Sequence, residues 1–132
     1  MKALLDTHVL IWWFENSDRL PREHKRVIGS AGPSRPLLLS EISLWEIAVL
    51  QELNRIRLSL PLREWLERAS APPLVERCGI SPAVAAEVAS LPSTFPRDPA
   101  DRIIAATARV FGATILTCDR RIIEAGIVPT IA

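Results

Sequence analysis

The residues of this chain best suited to chemistry are its aspartates. There are five Asp against ten Glu, and four of the five stand at the end of an apolar run or at an expected helix start: Asp6, Asp98, Asp101 and Asp119. Asp6 follows Leu4-Leu5, and Asp119 comes shortly after Ile115-Leu116. The carboxyl ends of parallel strands face the crevice in which open α/β sheets bind ligands, so we expect Asp6 and Asp119 to converge there.

Glu46 stands out among the glutamates because of its neighbours. It lies within residues 42–50, a segment that would be apolar nearly all round as a helix. A charge there loses much of its solvation unless it pairs with a basic residue or binds a cation. A buried ion pair with one of the many Arg residues is therefore an alternative to a functional role.

The run Asp98-Pro99-Ala100-Asp101 has the pattern of a helix start, with Asp98 as N-cap and proline at the first helical position. Capping, with an added salt bridge to Arg102, is the preferred explanation of Asp98. For Asp101 we favour a site role, because Ala105 and Ala108 share its helical face and are small enough to leave a pocket.

Asp119 can equally cap a short helix over residues 120–125. The argument for a site therefore rests on the whole set of acids, which is accompanied by two hydroxyl side chains, Thr7 and Thr117. Magnesium and manganese ions prefer such oxygen ligands and bind through a few carboxylates plus substrate phosphate. Crowding of these carboxylates is expected to raise the pKa of at least one of them.

The elements that must position these acids are short apolar runs alternating with longer periodic segments, which is typical of an α/β fold with a parallel sheet. Strands are expected at 3–5, 36–39 and 114–116, and helices at 9–14, 22–31, 41–53, 62–71, 83–91, 99–111 and 120–125. Residues 29–36 are expected to form a flexible loop. No domain boundary is apparent, so residues 1–132 are predicted to form a single domain.

Charge and cysteine content limit the function further. Lys and Arg number 16 against 15 Asp and Glu, a net charge of +1, so bulk electrostatics alone cannot hold a nucleic acid. The two Cys form no C-x-x-C pair, which disfavours a thiolate zinc site and a disulfide framework. With no signal peptide or membrane-spanning run expected, we predict a cytoplasmic protein with no membrane partner.

Four sequence blocks occur in a specific order along nearly the whole chain. They are Leu4-Leu5-Asp6-Thr7-His8, Ser43-Leu44-Trp45-Glu46-Ile47-Ala48, Arg97-Asp98-Pro99-Ala100-Asp101-Arg102 and Leu116-Thr117-Cys118-Asp119. In this the chain resembles the PIN-domain ribonucleases of the VapC toxin family, and most of all the subgroup with a D-P-x-D-R block.

This resemblance implies a three-layer α/β/α PIN-like fold with a central, mostly parallel sheet. It implies an endoribonuclease that depends on Mg²⁺ or Mn²⁺, a homodimer, and an antitoxin protein that blocks the site. The acidic metal site and catalytic residues of the family fall on Asp6, Glu46, Asp101 and Asp119, with Thr7, Thr117 and Asp98 as supporting residues.

The chain also departs from the family pattern in two places. Leu50 stands where the family often has a Lys one turn after the helical Glu, and Phe95-Pro96 stands where a His often precedes the R-D-P block. The acidic residues are intact, so these differences concern contacts with the substrate.

Basic and aromatic residues are candidates for contacts with RNA or a partner protein. Arg120 and Arg121 lie beside Asp119 and are predicted to bind RNA, whereas the basic stretch Arg19 to Arg26 has the pattern of a solvated face. Trp12 and Trp13 could stack on bases, although we expect at least one at a dimer or antitoxin interface. Trp45 and Trp65 are assigned to packing.

Two functions from other classes remain as alternatives: a phosphoacceptor-type magnesium-binding switch domain and a non-catalytic binding module. A phosphoacceptor domain would need adjacent acids after the first strand and a Lys late in the chain. Here Thr7-His8 follow Asp6, and the only Lys are Lys2 and Lys25. The complete acid set disfavours a non-catalytic module.

Overall fold

A five-stranded, fully parallel sheet forms the centre of the molecule, in the order β3-β2-β1-β4-β5. The computed structural model describes all residues from 1 to 132. The strands are β1 (Ala3–Leu5), β2 (Leu37–Ser40), β3 (Val75–Cys78), β4 (Thr114–Leu116) and β5 (Thr130–Ile131). Seven helices connect them: α1 (Thr7–Phe14), α2 (Arg22–Gly29), α3 (Glu41–Glu52), α4 (Leu62–Ala69), α5 (Pro82–Ser90), α6 (Pro99–Phe111) and α7 (Arg120–Ala125).

The sheet separates two apolar cores, which makes the three layers of an α/β/α fold. Alternate side chains of a strand point to opposite faces, so Ala3 and Leu5 enter one core while Leu4 enters the other. The first core packs β1 and β2 against α1, α2 and α4, and the second packs the sheet against α6 and α7. Both faces of the central strands are therefore buried, as expected for a parallel sheet.

The order of the strands creates a switch point between β1 and β4. The chain adds β2 and β3 on one side of β1 and then returns to place β4 on the other side, where Leu4 pairs with Ile115 and Leu5 with Leu116. In open α/β sheets, ligands bind outside the carboxyl ends of the strands at such a point. The carboxyl ends of β1 and β4 lead directly into Asp6 and Thr117.

Most predicted elements are confirmed within one or two residues, and α6, α7, β1 and β4 have the predicted bounds. The strands β3 and β5 were not predicted. The middle of β3, Glu76-Arg77, is charged and exposed, and β5 has only two residues, so neither shows the apolar run of a buried strand. The expected flexible loop contains a turn in which Gly32 and Arg35 are paired through two backbone hydrogen bonds.

Two expectations about packing prove wrong. Trp45 of α3, which was assigned to packing, has an exposed fraction of 57%. His24 does not lie on a solvated basic face: it is fully buried, and its Nε2 lies 2.7 Å from the Ile131 carbonyl oxygen. The assignment of Trp65 to packing is confirmed, since its side chain is completely buried. No helix has the length and apolar character needed to cross a membrane.

Candidate functional site

Five carboxylates line one cavity of about 410 Å³ at the carboxyl ends of β1 and β4. They are Asp6, Glu46, Asp98, Asp101 and Asp119. The four acids predicted to form a metal site, together with Asp98, are thus brought to one place. The expected convergence of Asp6 and Asp119 is confirmed as a matter of geometry.

Asp6 is held between the ends of β1 and β4. As N-cap of α1 it accepts a hydrogen bond from the Thr7 backbone N–H at 2.8 Å, and its other oxygen accepts one from the Thr117 hydroxyl at 2.6 Å. The Thr117 hydroxyl also accepts a hydrogen bond from the Asp119 backbone N–H at 3.0 Å. The predicted supporting residue Thr117 therefore fixes two acidic positions at once.

Glu46 has a hydroxyl partner and no basic partner. The Thr7 hydroxyl donates to Glu46 Oε1 and lies 2.9 Å from the Ser43 hydroxyl, which can donate in turn because each hydroxyl has only one proton. None of the ion pairs in the structure includes Glu46. The alternative of a buried pair with Arg is therefore excluded, and the supporting position predicted for Thr7 contacts the acid as expected.

Asp98 and Asp101 begin α6 with the geometry of a helix cap. Asp98 Oδ1 accepts a hydrogen bond from the Asp101 backbone N–H at 3.1 Å, with proline at the first helical position. The expected salt bridge from Asp98 to Arg102 is absent, because Arg102 donates instead to the carbonyl groups of Phe95 and Pro96. Asp98 both caps α6 and lines the cavity, so a role as helix cap does not exclude a role in the site.

Asp101 points from α6 into the cavity, but the small residues on its face do not create the space. Ala105 and Ala108 are buried in the second core and do not line the cavity. Their small side chains allow α6 to pack, and the opening lies instead between the helix start and the ends of β1 and β4. Asp101 lies in the cavity as expected, but the expectation that Ala105 and Ala108 leave the space for it is wrong.

Asp119 is both the N-cap of α7 and a cavity residue. Its Oδ1 accepts a hydrogen bond from the Arg121 backbone N–H at 2.9 Å, and its Oδ2 accepts one from Arg121 Nη2 at 3.0 Å. The same nitrogen lies 3.4 Å from Asp101 Oδ2. Arg121 is thus the basic residue in direct contact with the acidic cluster.

Burial and mutual repulsion set the protonation of the cluster. Burial, followed by the charges of Asp98, Asp6, Asp119 and Glu46, raises the pKa of Asp101 to about 7. Burial also raises the pKa of Asp6 and of Glu46, against the lowering effect of their threonine donors. Burial would raise the pKa of Asp119 too, but the hydrogen bonds from Arg121 hold it below its ordinary value. A carboxylate pKa is raised as expected, but burial contributes more to the increase than the crowding of charges on which the expectation rested.

The donor set suits a hard divalent cation. The cavity is lined by oxygen ligands from four separate chain segments, and at neutral pH their uncompensated charges favour a cation over an anion. No group of three acidic, histidine or cysteine side chains is arranged so that it could hold a metal ion by itself. An open arrangement is compatible with Mg²⁺, which keeps several of its waters when it binds proteins.

The cavity also has residues that the sequence pattern did not single out as a group. His8, Trp12 and Arg19 form a wall of the cavity, with the Arg19 guanidinium 5.5 Å from the centre of the Trp12 ring. Arg120, predicted to bind RNA with Arg121, does not line the cavity and instead lies 3.7 Å from Glu124. Successive side chains of a helix point in different directions, so Arg121 lines the cavity and Arg120 does not, although the two are neighbours in the sequence.

Comparisons with known proteins agree with this fold. The PIN domain family model matches residues 3–128. Ribonuclease VapC22 of Mycobacterium tuberculosis (strain ATCC 25618 / H37Rv) is 42% identical over 120 residues, which cover 91% of this chain and 88% of that protein. The fold and the acidic cavity are those of a small α/β protein with a candidate cation site at the strand switch point. The chain belongs to the PIN-domain family.

Solved structures show the same fold at lower identity. A toxin-antitoxin complex from Klebsiella pneumoniae matches with a TM-score of 0.69 at 23% identity, covering 99% of this chain and 97% of that one. FitAcB from Neisseria gonorrhoeae matches with a TM-score of 0.70 at 23% identity, covering 98% and 96%. These likenesses confirm the three-layer α/β/α fold.

Proposed function

We propose that this protein is a metal-dependent endoribonuclease of the VapC type, the toxin of a toxin-antitoxin pair. The observation that carries the proposal is the group of five carboxylates around one cavity at the switch point of the sheet. Membership of the PIN-domain family and the 42% identity to a ribonuclease over most of the chain support RNA as the substrate.

In this proposal Asp6, Glu46 and Asp101 hold one Mg²⁺ or Mn²⁺ ion, directly or through water, and Asp119 completes the site or contributes to a second one. When bound, the ion supplies an activated water and offsets charge on the phosphate group. Thr7 and Thr117 orient Glu46 and Asp6 through the hydrogen bonds described above. Arg121 and Arg19, both on the cavity wall, provide donors for phosphate oxygens.

We propose that the partners are an RNA substrate, an antitoxin that covers the site, and a second copy of this chain. The similarity to chains from toxin-antitoxin complexes supports the antitoxin. The homodimer rests on the family resemblance, and the exposed Trp45 is an apolar side chain that such an interface could cover. A single domain over residues 1–132 and a cytoplasmic location complete the proposal.

A phosphoacceptor switch is not favoured by the arrangement of the site. Lys2 and Lys25 are the only lysines, and neither lines the cavity. The basic residue that reaches the acids is Arg121.

The test of the proposed function is RNA cleavage by the purified protein in Mg²⁺ or Mn²⁺. We expect the Asp6→Asn and Asp101→Asn variants to lose at least about 100-fold in rate, because each removes a carboxylate that would hold the metal ion. Chelation of the metal should also stop cleavage by the wild-type protein.

The matched control is Asp18→Asn, since Asp18 is exposed and outside the cavity. This variant should cleave at the wild-type rate. Full activity of Asp101→Asn, or cleavage that continues in excess chelator, would contradict the proposed mechanism.

A further inference from the structure

Arg121 joins two carboxylates that come from different elements. Its Nη2 lies 3.0 Å from Asp119 Oδ2 and 3.4 Å from Asp101 Oδ2, at the starts of α7 and α6 respectively. Both aspartates line the cavity in which the cation site is proposed. The guanidinium therefore contacts oxygen atoms that a divalent cation would also use.

Arg121 is the only basic residue that forms ion pairs with the cluster. Asp6, Glu46 and Asp98 have no ion pair, and Arg19 lines the cavity without reaching a carboxylate. Asp6 uses both oxygens to accept hydrogen bonds from Thr7 and Thr117. The positive charge in direct contact with these acids thus comes from one side chain, Arg121.

This side chain can leave its position at low cost. The Arg121 side chain is 65% exposed, whereas the side chains of Asp101 and Asp119 are 10% and 25% exposed. Ion pairs with such an exposed partner contribute little to stability. Arg121 also borders a second surface depression, lined by Thr94, Pro96 and Glu124, that offers the guanidinium another location.

We infer that Arg121 is a displaceable counter-ion of the acidic cavity, which competes with the divalent cation for Asp101 and Asp119. The inference rests on the proposed function, because it concerns the cation that the ribonuclease would use. A divalent ion carries twice the charge of the guanidinium in a smaller volume, and it replaces Arg121 at the shared oxygens.

Displacement has a consequence for substrate binding. Once released from the carboxylates, the donors of Arg121 are free to bind a phosphate group beside the cation. Metal binding and RNA binding are then coupled through this one side chain. The metal raises the affinity for RNA by the same factor by which RNA raises the affinity for the metal.

The test is direct titration of the RNA-free protein with Mn²⁺, by calorimetry or by the spin resonance signal of free Mn²⁺. Arg121→Gln removes the competing charge and should bind Mn²⁺ roughly 3- to 10-fold more tightly than the wild type. Arg120→Gln is the matched control, because Arg120 is the adjacent arginine and does not contact the cavity acids. Its Mn²⁺ affinity should stay within about 2-fold of the wild type.

A second variant keeps the test valid if Arg121→Gln does not fold without metal. Arg121→Lys retains the charge but replaces the planar guanidinium by a single ammonium group, so its Mn²⁺ affinity should lie between those of the wild type and Arg121→Gln. Wild-type or weaker Mn²⁺ affinity in the folded variants would overturn the inference.

The outcomes also separate this inference from the proposed function. If wild-type protein cleaves RNA but Arg121→Gln binds Mn²⁺ no more tightly, the competition is wrong and the ribonuclease proposal stands. If Arg121→Gln binds Mn²⁺ more tightly but no RNA is cleaved, the competition stands and the proposed function fails. Absence of Mn²⁺ binding in all variants would overturn both.

Discussion

Asp101 has the most strongly perturbed acid–base chemistry of the cluster. It is 7% exposed, and four other carboxylates act on it in addition to burial. With a pKa of about 7, it still holds a proton at a pH where an Asp in an unfolded chain is ionised. Its protonation therefore links the stability of the metal-free protein to pH.

Stability of the metal-free protein should fall as the pH rises from 5 to 8. In this window the folded protein binds more protons than the unfolded chain, because the pKa values of Asp101, Asp6 and Glu46 are raised by folding. The free energy of unfolding then decreases with pH until Asp101 is ionised in both states. Urea unfolding at pH 5.5 and pH 8 in excess chelator measures the difference.

The Asp101→Asn variant should lose most of this pH dependence, because its amide does not ionise. Asp18→Asn, which changes an exposed Asp outside the cavity, should keep it. Higher stability of the wild-type protein at pH 8 than at pH 5.5 would contradict the assignment of the raised pKa.

At the scale of the element, the start of α6 both stabilises the helix and contributes carboxylates to the candidate site. Asp98 caps the helix through its contact with the Asp101 backbone N–H, and its charge is the largest charge effect raising the pKa of Asp101. These two effects depend on different properties of the side chain. A pair of substitutions can therefore separate them.

Asp98→Asn should retain the cap and lose the charge, whereas Asp98→Ala should lose both. We expect Asp98→Ala to be destabilised by about 1 kcal/mol and Asp98→Asn to unfold close to the wild-type urea concentration at pH 8. Both variants should lower the pKa of Asp101, which a pH titration of the carboxyl carbon resonance measures. Equal destabilisation by the two substitutions would show that the cap is not the source of the stability.

The elements differ in how far the sequence determines them. Strands β1 and β4 were predictable because Leu4, Leu5, Ile115 and Leu116 are buried on both faces of the sheet. Strand β3 was not, because its exposed Glu76-Arg77 pair lies near the edge of the sheet and shows no apolar run. Trp45 misled the prediction for α3, since an aromatic side chain on a helix can face solvent or a partner as well as the core.

The residues of the candidate site were predictable from the sequence, but the hydrogen bonds and ion pairs among them were not. Aspartates after apolar runs indicate strand ends, and the four sequence blocks indicate the family. The choice of Arg121 over Arg120 depends on side-chain directions at the start of α7, which sequence adjacency does not determine. The threonine contacts likewise depend on how β1, β4 and α3 meet.

At the scale of the whole molecule, the charge balance determines how RNA can be held. The net charge is +1, and the cavity contains five carboxylates against Arg19 and Arg121. Without a metal ion this region repels phosphate, and with one it attracts phosphate only locally. RNA binding should therefore depend on metal and involve few ionic contacts.

The salt dependence of RNA binding should be shallow. Two phosphate contacts to single-stranded RNA predict a slope of log K against log salt of about −1.4, since each contact contributes about −0.7. Binding of a short fluorescent, non-cleavable RNA analogue to the wild-type protein, in Mn²⁺ and at several salt concentrations, measures this slope. The Arg121→Ala change should make it shallower by about 0.7, and Arg120→Ala should not. A slope several times steeper would indicate a wider basic surface than the cavity provides.

The hydrogen bond between Thr117 and Asp6 joins residues that are 111 positions apart in the chain. During synthesis at about 5 to 20 residues per second, roughly 5 to 20 s pass between the two residues. Until β4 is made, β1 lacks a neighbour on one side, Asp6 lacks its Thr117 donor, and the cavity lacks Asp119. A ribosome-bound chain therefore carries an unfinished acidic site for most of its synthesis, which delays any nuclease activity in the cell that makes it.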